Sequence, residues 1–178
     1  RNRQNLKINF KPSLDMDISK EKFRQEATEA TLCFIIKDEE ALLIEKKRGV
    51  GEGLFNGPGG KLEDGETPRE CAVRETEEET NVKPQNLEKV AELEFIFGSN
   101  PFQLVHVFKA NGYNGQPEES EEARPEWFKI DELPYDDMWP DDKYWIPQML
   151  DGEKFTARFN FDEEGDEIVN HQFERPRF

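Results

Sequence analysis

Glu75, Glu78 and Glu79 stand at i, i+3 and i+4, the spacing that puts three side chains on one face of a helix. Like charges so placed repel and destabilise an isolated helix. The face therefore looks into water, or something cationic holds it together. Hard divalent cations take oxygen ligands, bridge carboxylates to phosphates, and help to generate hydroxide from bound water. The second alternative gains from what precedes the helix, a stretch with Gly49, Gly51, Gly53, Gly57, Gly59 and Gly60. Glycine lets a backbone approach a ligand closely and take positive φ, so a phosphate chain lying along residues 49–60 would meet the carboxylates. The stretch lacks the Lys-Ser/Thr pair that completes a P-loop, which disfavours a P-loop NTPase or a kinase. Arg74 and Glu66 are placed for an internal ion pair tying loop to helix.

A second constellation is Trp139 with Asp141 and Asp142. An indole offers a flat face on which a base stacks, worth about 1–3 kcal/mol. Two adjacent carboxyls enclosed together resist ionising together, so one keeps a proton and becomes a donor. Such a pair can read a purine whose oxidation or tautomer changes its pattern of donors and acceptors. The competing reading makes Trp139 a core anchor and the two aspartates a cap for the following helix, and residue types alone favour it.

The elements that must position these groups are legible in outline. Thr67-Pro68-Arg69-Glu70 starts a helix: Thr67 caps, Pro68 takes the first helical position, and Glu70 closes a capping box. That helix is predicted to run to about Thr80. Thr31 to Ile36 and Ala41 to Ile44 are apolar runs joined by the polar turn Lys37-Asp38-Glu39-Glu40, a hairpin with both faces covered. Phe95-Ile96-Phe97 and Leu104 to Phe108 read as strands turning at Gly98-Ser99-Asn100-Pro101, and Glu126 to Ile130 as another. Phe155, Ala157, Phe159 and Phe161 alternate with polar residues, the period of a half-buried strand. Asp141 to Leu150 is a candidate helix in which Pro147 argues for a kink or an early stop. Ser19 is a candidate cap for a short helix from Lys20. His106 sits inside a strand with no carboxylate at ligand spacing in sequence, which favours a structural role.

The chain of 178 residues suits one domain with peripheral structure. Its 14 Phe compensate for a hydrophobic content of only 34%. A formal net charge of -16 repels nucleic-acid backbones and anionic lipid, so an anionic substrate needs local cations or a small basic patch. Two cysteines, Cys33 and Cys71, are too few for a disulfide scaffold, and no apolar run approaches a membrane span or a signal-peptide core. A soluble, cytoplasmic protein with reduced thiols and no nucleic-acid or membrane partner is the expectation, with a monomer as the default.

Residues 60–82 resemble the Nudix box: glycine, five residues, Glu66, seven residues, Arg74-Glu75, a hydrophobic position, any residue, Glu78-Glu79, any residue, glycine, hydrophobic. Thr76 stands at the hydrophobic position and Asn81 at the last glycine. Thr76 keeps a methyl, and Asn tolerates the left-handed conformation that follows a helix, so the charged positions remain intact. Beyond the box, Lys46-Lys47-Arg48-Gly49, Asn56-Gly57, Val105 to Phe108, Arg124 to Phe128 and Asp137 to Trp145 resemble the oxidised-purine nucleoside triphosphatase branch of that family.

The resemblance implies an α/β/α sandwich around a mixed β-sheet, and Mg²⁺-dependent (or Mn²⁺-dependent) hydrolysis of an oxidised purine nucleoside triphosphate, such as 8-oxo-dGTP or 2-hydroxy-dATP, to monophosphate and pyrophosphate. Carried over by position, the Gly60 carbonyl, Glu75, Glu78, Glu79 and Glu122 would hold metal, with Glu79 or Glu78 holding the nucleophilic water beside Arg74 and Glu66. Asn56, Asp141 and Asp142 would face the purine edge, Trp139 would stack, and Thr31, Phe95 and Phe97 would wall the pocket; Gln103 and Leu104 lie where the pattern slips by one and receive no role. The expected organisation is an N-terminal arm or short helix at residues 1–28, the Nudix domain at 29–161 and an acidic extension at 162–178. Two alternatives stay open: a Nudix pyrophosphohydrolase acting on another nucleoside diphosphate-linked substrate, and a nucleotide-binding module of this fold without turnover.

Overall fold

The computed structural model describes residues 18–178; the expectation of an arm at residues 1–17 lies outside them. Ser19 caps α1 (Lys20–Glu26) by accepting from the Lys22 N–H. Next come β1 (Thr28–Lys37), β2 (Glu40–Lys46) and the short β3 (Phe55–Asn56), followed by α2 (Pro68–Thr80). The chain continues through β4 (Val82–Gln85), β5 (Glu88–Phe97), β6 (Asn100–Ala110), β7 (Gly112–Gly115) and β8 (Ala123–Lys129). A 3-10 turn at Tyr135–Asp137 leads to α3 (Asp142–Leu150), β9 (Phe155–Phe161) and β10 (Ile168–Glu174).

The main sheet runs β10-β9-β5-β6-β1-β2-β3, with β8 also on β2. It is mixed: β1 pairs parallel with β6 and β5 with β9, and the other pairs are antiparallel. β4 and β7 form a separate ribbon. One face of the sheet carries Phe34, Leu93, Val107 and Phe159 against Trp145, Ile146 and Met149 of α3. The opposite face packs Cys33, Ile35 and Leu42 against Ala72 of α2, and Ile96 and Leu104 against Phe23 of α1. Fully buried side chains of this size each contribute about 1.5–3 kcal/mol, and they lie on both sides of the sheet. The result is the expected α/β/α sandwich.

Several local expectations need correction. β9 is covered on both faces rather than half-buried: Arg158, on its polar side, lies under α1, donating to Glu94 (2.6 Å) and the Ile18 carbonyl (2.9 Å), with its guanidinium 5.6 Å from the Phe23 ring centre. Alternation reports which face is apolar, not whether an ion pair lets the other be buried. Pro147 does not end α3; the Asp151 N–H donates to the Pro147 carbonyl and the helix reaches Leu150. The turn between β5 and β6 is only Gly98-Ser99, with Gly98 at φ 58°, because Asn100 and Pro101 already pair with Phe97 and Ile96. His106 does meet carboxylates, brought by neighbouring strands: Glu29 at 2.6 Å from Nε2 and Glu92 at 3.6 Å from Nδ1. Residues 162–178, expected as an acidic extension, include β10, which adds an edge strand beside β9.

The site depends on a split in the sheet. β1 pairs with β2 only from Ile35 to Lys37; lower down, the Cys33 and Thr31 N–H groups donate instead to the Pro58 and Gly60 carbonyls, and Leu62 N–H to Glu29. The glycine loop is thus laid along β1 where β2 has diverged.

Candidate active site

α2 is built as its sequence prescribes. Thr67 Oγ1 accepts from the Glu70 N–H and Glu70 returns the bond to the Thr67 N–H, forming the capping box. At the other end Asn81 takes φ 60° and its N–H meets the Glu77 carbonyl, the left-handed cap that glycine or asparagine supplies. Thr76 and Thr80 turn their hydroxyls onto the carbonyls of Ala72 and Thr76, which buries them without an orphan donor.

This helix holds its three carboxylates at three depths. Glu79 is 2% exposed, its Oε2 accepting from the Gly59 N–H at 2.9 Å and its Oε1 lying 3.9 Å from Lys46 Nζ. Burial pushes its carboxyl up to about 7, opposed by the Gly59 bond and the Lys46 charge. Glu75 is half-buried and raised for the same reason. It presses so closely on Gly60 that any Cβ there would overlap its carboxyl group. A Cβ on Gly59 would likewise collide with the Thr31 carbonyl. The two glycines are required by close approach, not by turn geometry. Glu78 has a side chain 61% exposed.

Arg74 joins these groups. It binds Glu66 through two nitrogens, each at 2.8 Å, and also reaches Glu75 (2.7 Å), Glu78 (3.3 Å) and the Lys61 carbonyl (3.2 Å). The fork holds Glu66 down to about 2 and raises Arg74 further. The expected loop-to-helix ion pair is therefore present. Glu122 is half-exposed and held by Arg48 at 2.5 Å, although its charge still acts on Glu79.

Among the described residues no three acidic, histidine or cysteine side chains stand together as a preformed metal-holding group, because Arg74 draws Glu75 and Glu78 to itself. The donor set nonetheless fits a hard cation. Glu75 and Glu79 are carboxylates whose ionised form burial disfavours, beside the Gly59-Gly60 backbone, and a divalent ion reverses that penalty.

A cleft of about 380 Å³ opens on the α3 face of the sheet and reaches the same two glycines, which line it together with Lys46, Lys61, Asn56, Phe95, Phe97, Trp139, Asp141 and Asp142. Asp141 and Asp142 are 3% and 2% exposed. Trp145 Nε1 donates to Asp141 (2.9 Å) and the Trp139 N–H to Asp142 (3.1 Å). Burial raises Asp141 to about 6, and burial with the neighbouring Asp141 charge raises Asp142 well above its ordinary value. Neither forms an ion pair among the described residues. Trp139 packs its ring on Gly51, which is at φ 82°. Phe95 stacks on Phe159 and Phe97 on Phe102, with centroids 5.8 and 4.4 Å apart.

The three expected wall residues, Thr31, Phe95 and Phe97, all border the cleft. Thr31 borders the cleft, but its hydroxyl lies 3.3 Å from Cys71 Sγ on α2, across the sheet. The α3 face of β1 carries Ala30 and Leu32, which also line the wall and were not assigned. Counting by twos from Phe34 would have found them. Val50, 75% exposed, together with Phe102 and Phe161, also lines the cleft and went unassigned; nothing in the spacing of those residues places them there.

The arrangement joins a flat, largely aromatic cleft containing an acid pair to a glycine backbone and a carboxylate helix through the split between β1 and β2. Among the described residues no helix is long and apolar enough to cross a membrane. The family model for the NUDIX domain matches residues 27–149. The chain is 43% identical over 142 residues to an oxidized purine nucleoside triphosphate hydrolase of Mus musculus, covering 79% of this chain and 90% of that one. It is 41% identical over 145 residues to the protein of the same name in Danio rerio, covering 81% and 92%. The crystal structure of a MutT protein from Bacillus halodurans superposes with a TM-score of 0.73 at 27% identity, covering 83% of this chain and 97% of that one. Nudix hydrolases generally need a divalent metal, and the site has the oxygen donors for one. By sequence, fold and the arrangement of its box, the chain belongs to the Nudix hydrolase family.

Proposed function

We propose that this chain hydrolyses oxidised purine nucleoside triphosphates to the monophosphate and pyrophosphate, with Mg²⁺ or Mn²⁺. The observation that carries the reading is the buried pair Asp141 and Asp142 in an aromatic cleft continuous with Gly59, Gly60 and Glu79. With a proton on one carboxyl, the pair offers a donor beside an acceptor, which suits a purine edge altered by oxidation. Asn56 adds an amide from β3 and Trp139 a stacking face. The relatives in mouse and zebrafish carry names that agree with this substrate class.

On the phosphate side, the Gly60 carbonyl, Glu75, Glu78 and Glu79 would hold the cation, with Glu122 joining from its loop. A divalent cation there supplies charge neutralisation of the phosphates and a water acidic enough to attack at neutral pH. The chain's own residues do the positioning. Gly59 orients Glu79, Lys46 lies between Glu79 and the cleft to receive phosphate charge, and Arg74 with Glu66 fixes the helix against the loop. Glu79, held by the Gly59 N–H beside Lys46 and the cleft, is the group placed to take the proton of the attacking water. A monomer is the proposed state, and two free, buried cysteines suit the reducing cytoplasm.

A panel of 8-oxo-dGTP, 2-hydroxy-dATP, dGTP, ATP, ADP-ribose and diadenosine polyphosphates in oxygen-18 water tests the reading. The expected result is highest kcat/KM on an oxidised purine, monophosphate and pyrophosphate as initial products, and no turnover in excess chelator. Orthophosphate as the sole initial product, or a preference for a dinucleotide, would overturn it. An absence of turnover with every substrate and cation would leave a binding module.

A further inference from the structure

The geometry points to Gln103 as a specificity-determining residue whose carboxamide reads the oxidised imidazole edge of the base. This inference rests on the oxidised-purine reading above. Gln103 is on β6 and, like Val105 two residues on, lines the cleft. Leu104 between them packs with Ile18, Phe23 and Ile96 on the opposite face. The wall around Gln103 is apolar, made of Phe95, Phe97, Phe102, Phe161 and Val105. Among the described residues its carboxamide has no hydrogen-bond partner.

A polar group in such a wall loses hydration when a flat ligand fills the cleft, and the loss goes uncompensated unless the ligand supplies a partner. A purely hydrophobic base face supplies none, whereas the edge of a heterocycle does. The other polar groups directed at a base, Asn56, Asp141 and Asp142, come from β3 and the start of α3. β6 is separated from that side of the site by β1. The cleft is therefore polar at both ends with aromatic rings between. A purine has two hydrogen-bonding edges, one on each ring. With the six-membered edge on the aspartates, the five-membered edge faces Gln103.

The chemistry there distinguishes oxidised from ordinary bases. An ordinary purine shows an acceptor at N7 beside a C–H at C8, and a carboxamide makes one bond to it. Oxidation at C8 places an N–H donor at N7 next to a carbonyl at C8. That donor and acceptor match the carboxamide oxygen and NH₂ as a two-point pair. Gln103 thus adds one hydrogen bond for an 8-oxo base and none for a base oxidised on the six-membered ring.

The test is kcat/KM for 8-oxo-dGTP, dGTP, 2-hydroxy-dATP and dATP in wild type, Gln103→Leu and Gln103→Glu, with thermal unfolding of each to confirm folding. Loss of the extra bond is expected to lower the 8-oxo-dGTP to dGTP ratio about tenfold in Gln103→Leu. Gln103→Glu keeps the size and still accepts from the N7 N–H of an 8-oxo base. It can donate to neither the C8 carbonyl nor the N7 of dGTP, so kcat/KM falls for both substrates and their ratio stays near the wild-type level. The 2-hydroxy-dATP to dATP ratio stays at its wild-type level in both. Should wild type prefer oxidised purines while Gln103→Leu keeps the wild-type 8-oxo-dGTP ratio, the assignment of Gln103 is overturned and the functional reading survives. A parallel fall in both ratios would also overturn it, marking Gln103 as a general wall residue. A wild type with no preference for any oxidised purine would remove the functional reading, and this inference with it.

Discussion

Glu75 and Glu79 on α2, and Asp141 and Asp142 at the start of α3, are all carboxyl groups whose ionised form burial disfavours. Their surroundings differ in charge. Glu79 has Lys46 and a backbone N–H, and Glu75 has Arg74. The aspartates have an indole N–H, a backbone N–H and each other. A group with cations at hand is ready to ionise and to take a metal. A pair with neutral donors alone relieves its repulsion by keeping a proton. One residue chemistry thus serves phosphate at one end of the cleft and a base edge at the other, and what separates the roles is the neighbouring charge.

Five substitutions would break or sharpen that contrast. The largest effect is expected from Glu79→Gln, which removes the buried ionisable oxygen beside Gly59: turnover should fall by about 10²-fold or more with the thermal unfolding temperature largely kept. Wild-type turnover in saturating Mg²⁺ would place the chemistry elsewhere. Next, Asp141→Asn and Asp142→Asn should each reduce discrimination between 8-oxo-dGTP and dGTP by about one to two decades, the cost of a mispaired buried hydrogen bond, while leaving the apparent Mg²⁺ constant within a few fold. Trp139→Ala should weaken all purine triphosphates alike, by about 1–3 kcal/mol, because stacking does not read edge donors. The smallest effect belongs to the scaffold. Thr67→Ala opens the capping box and should cost about 1 kcal/mol in urea unfolding, with the 8-oxo-dGTP preference unchanged.

The same contrast fixes the signs of the pH responses. Glu79, raised to about 7, binds a proton that competes with metal, so apparent metal affinity should rise with pH up to about 7 and level off above it. Asp141 is raised from 3.8 to about 6 by burial. Between those values the folded state holds a proton that the unfolded state has lost, so this group's contribution to stability is full below about pH 4 and is lost as pH rises through about 6. In Asp141→Asn the stability curve should be flatter across that window.

How much of this was legible in the sequence follows from how each part is assembled. α2, its caps, the Arg74–Glu66 pair and the glycine loop are contiguous, and helical spacing, capping chemistry and glycine conformation located them. The aromatic cleft is built from β1, β2, β3, β5, β6, β9, the start of α3 and the loops between them, so its membership depends on pairing and facing that no local pattern encodes. Thr31 shows that limit in part: it borders the cleft as expected, but its hydroxyl is turned to Cys71, which position alone does not reveal. Arg158 and β10 were lost to another, since an ion pair with Glu94 and pairing with β9 are settled by distant partners.

The most direct measurement of the contrast is carboxyl ¹³C NMR at pH 7 on Mg²⁺-loaded protein, with Asp141→Asn, Asp142→Asn, Glu75→Gln and Glu79→Gln used for assignment. One protonated carboxyl within the Asp141–Asp142 pair, alongside ionised Glu75 and Glu79, is the predicted result. Two fully ionised aspartates at that pH would contradict the account.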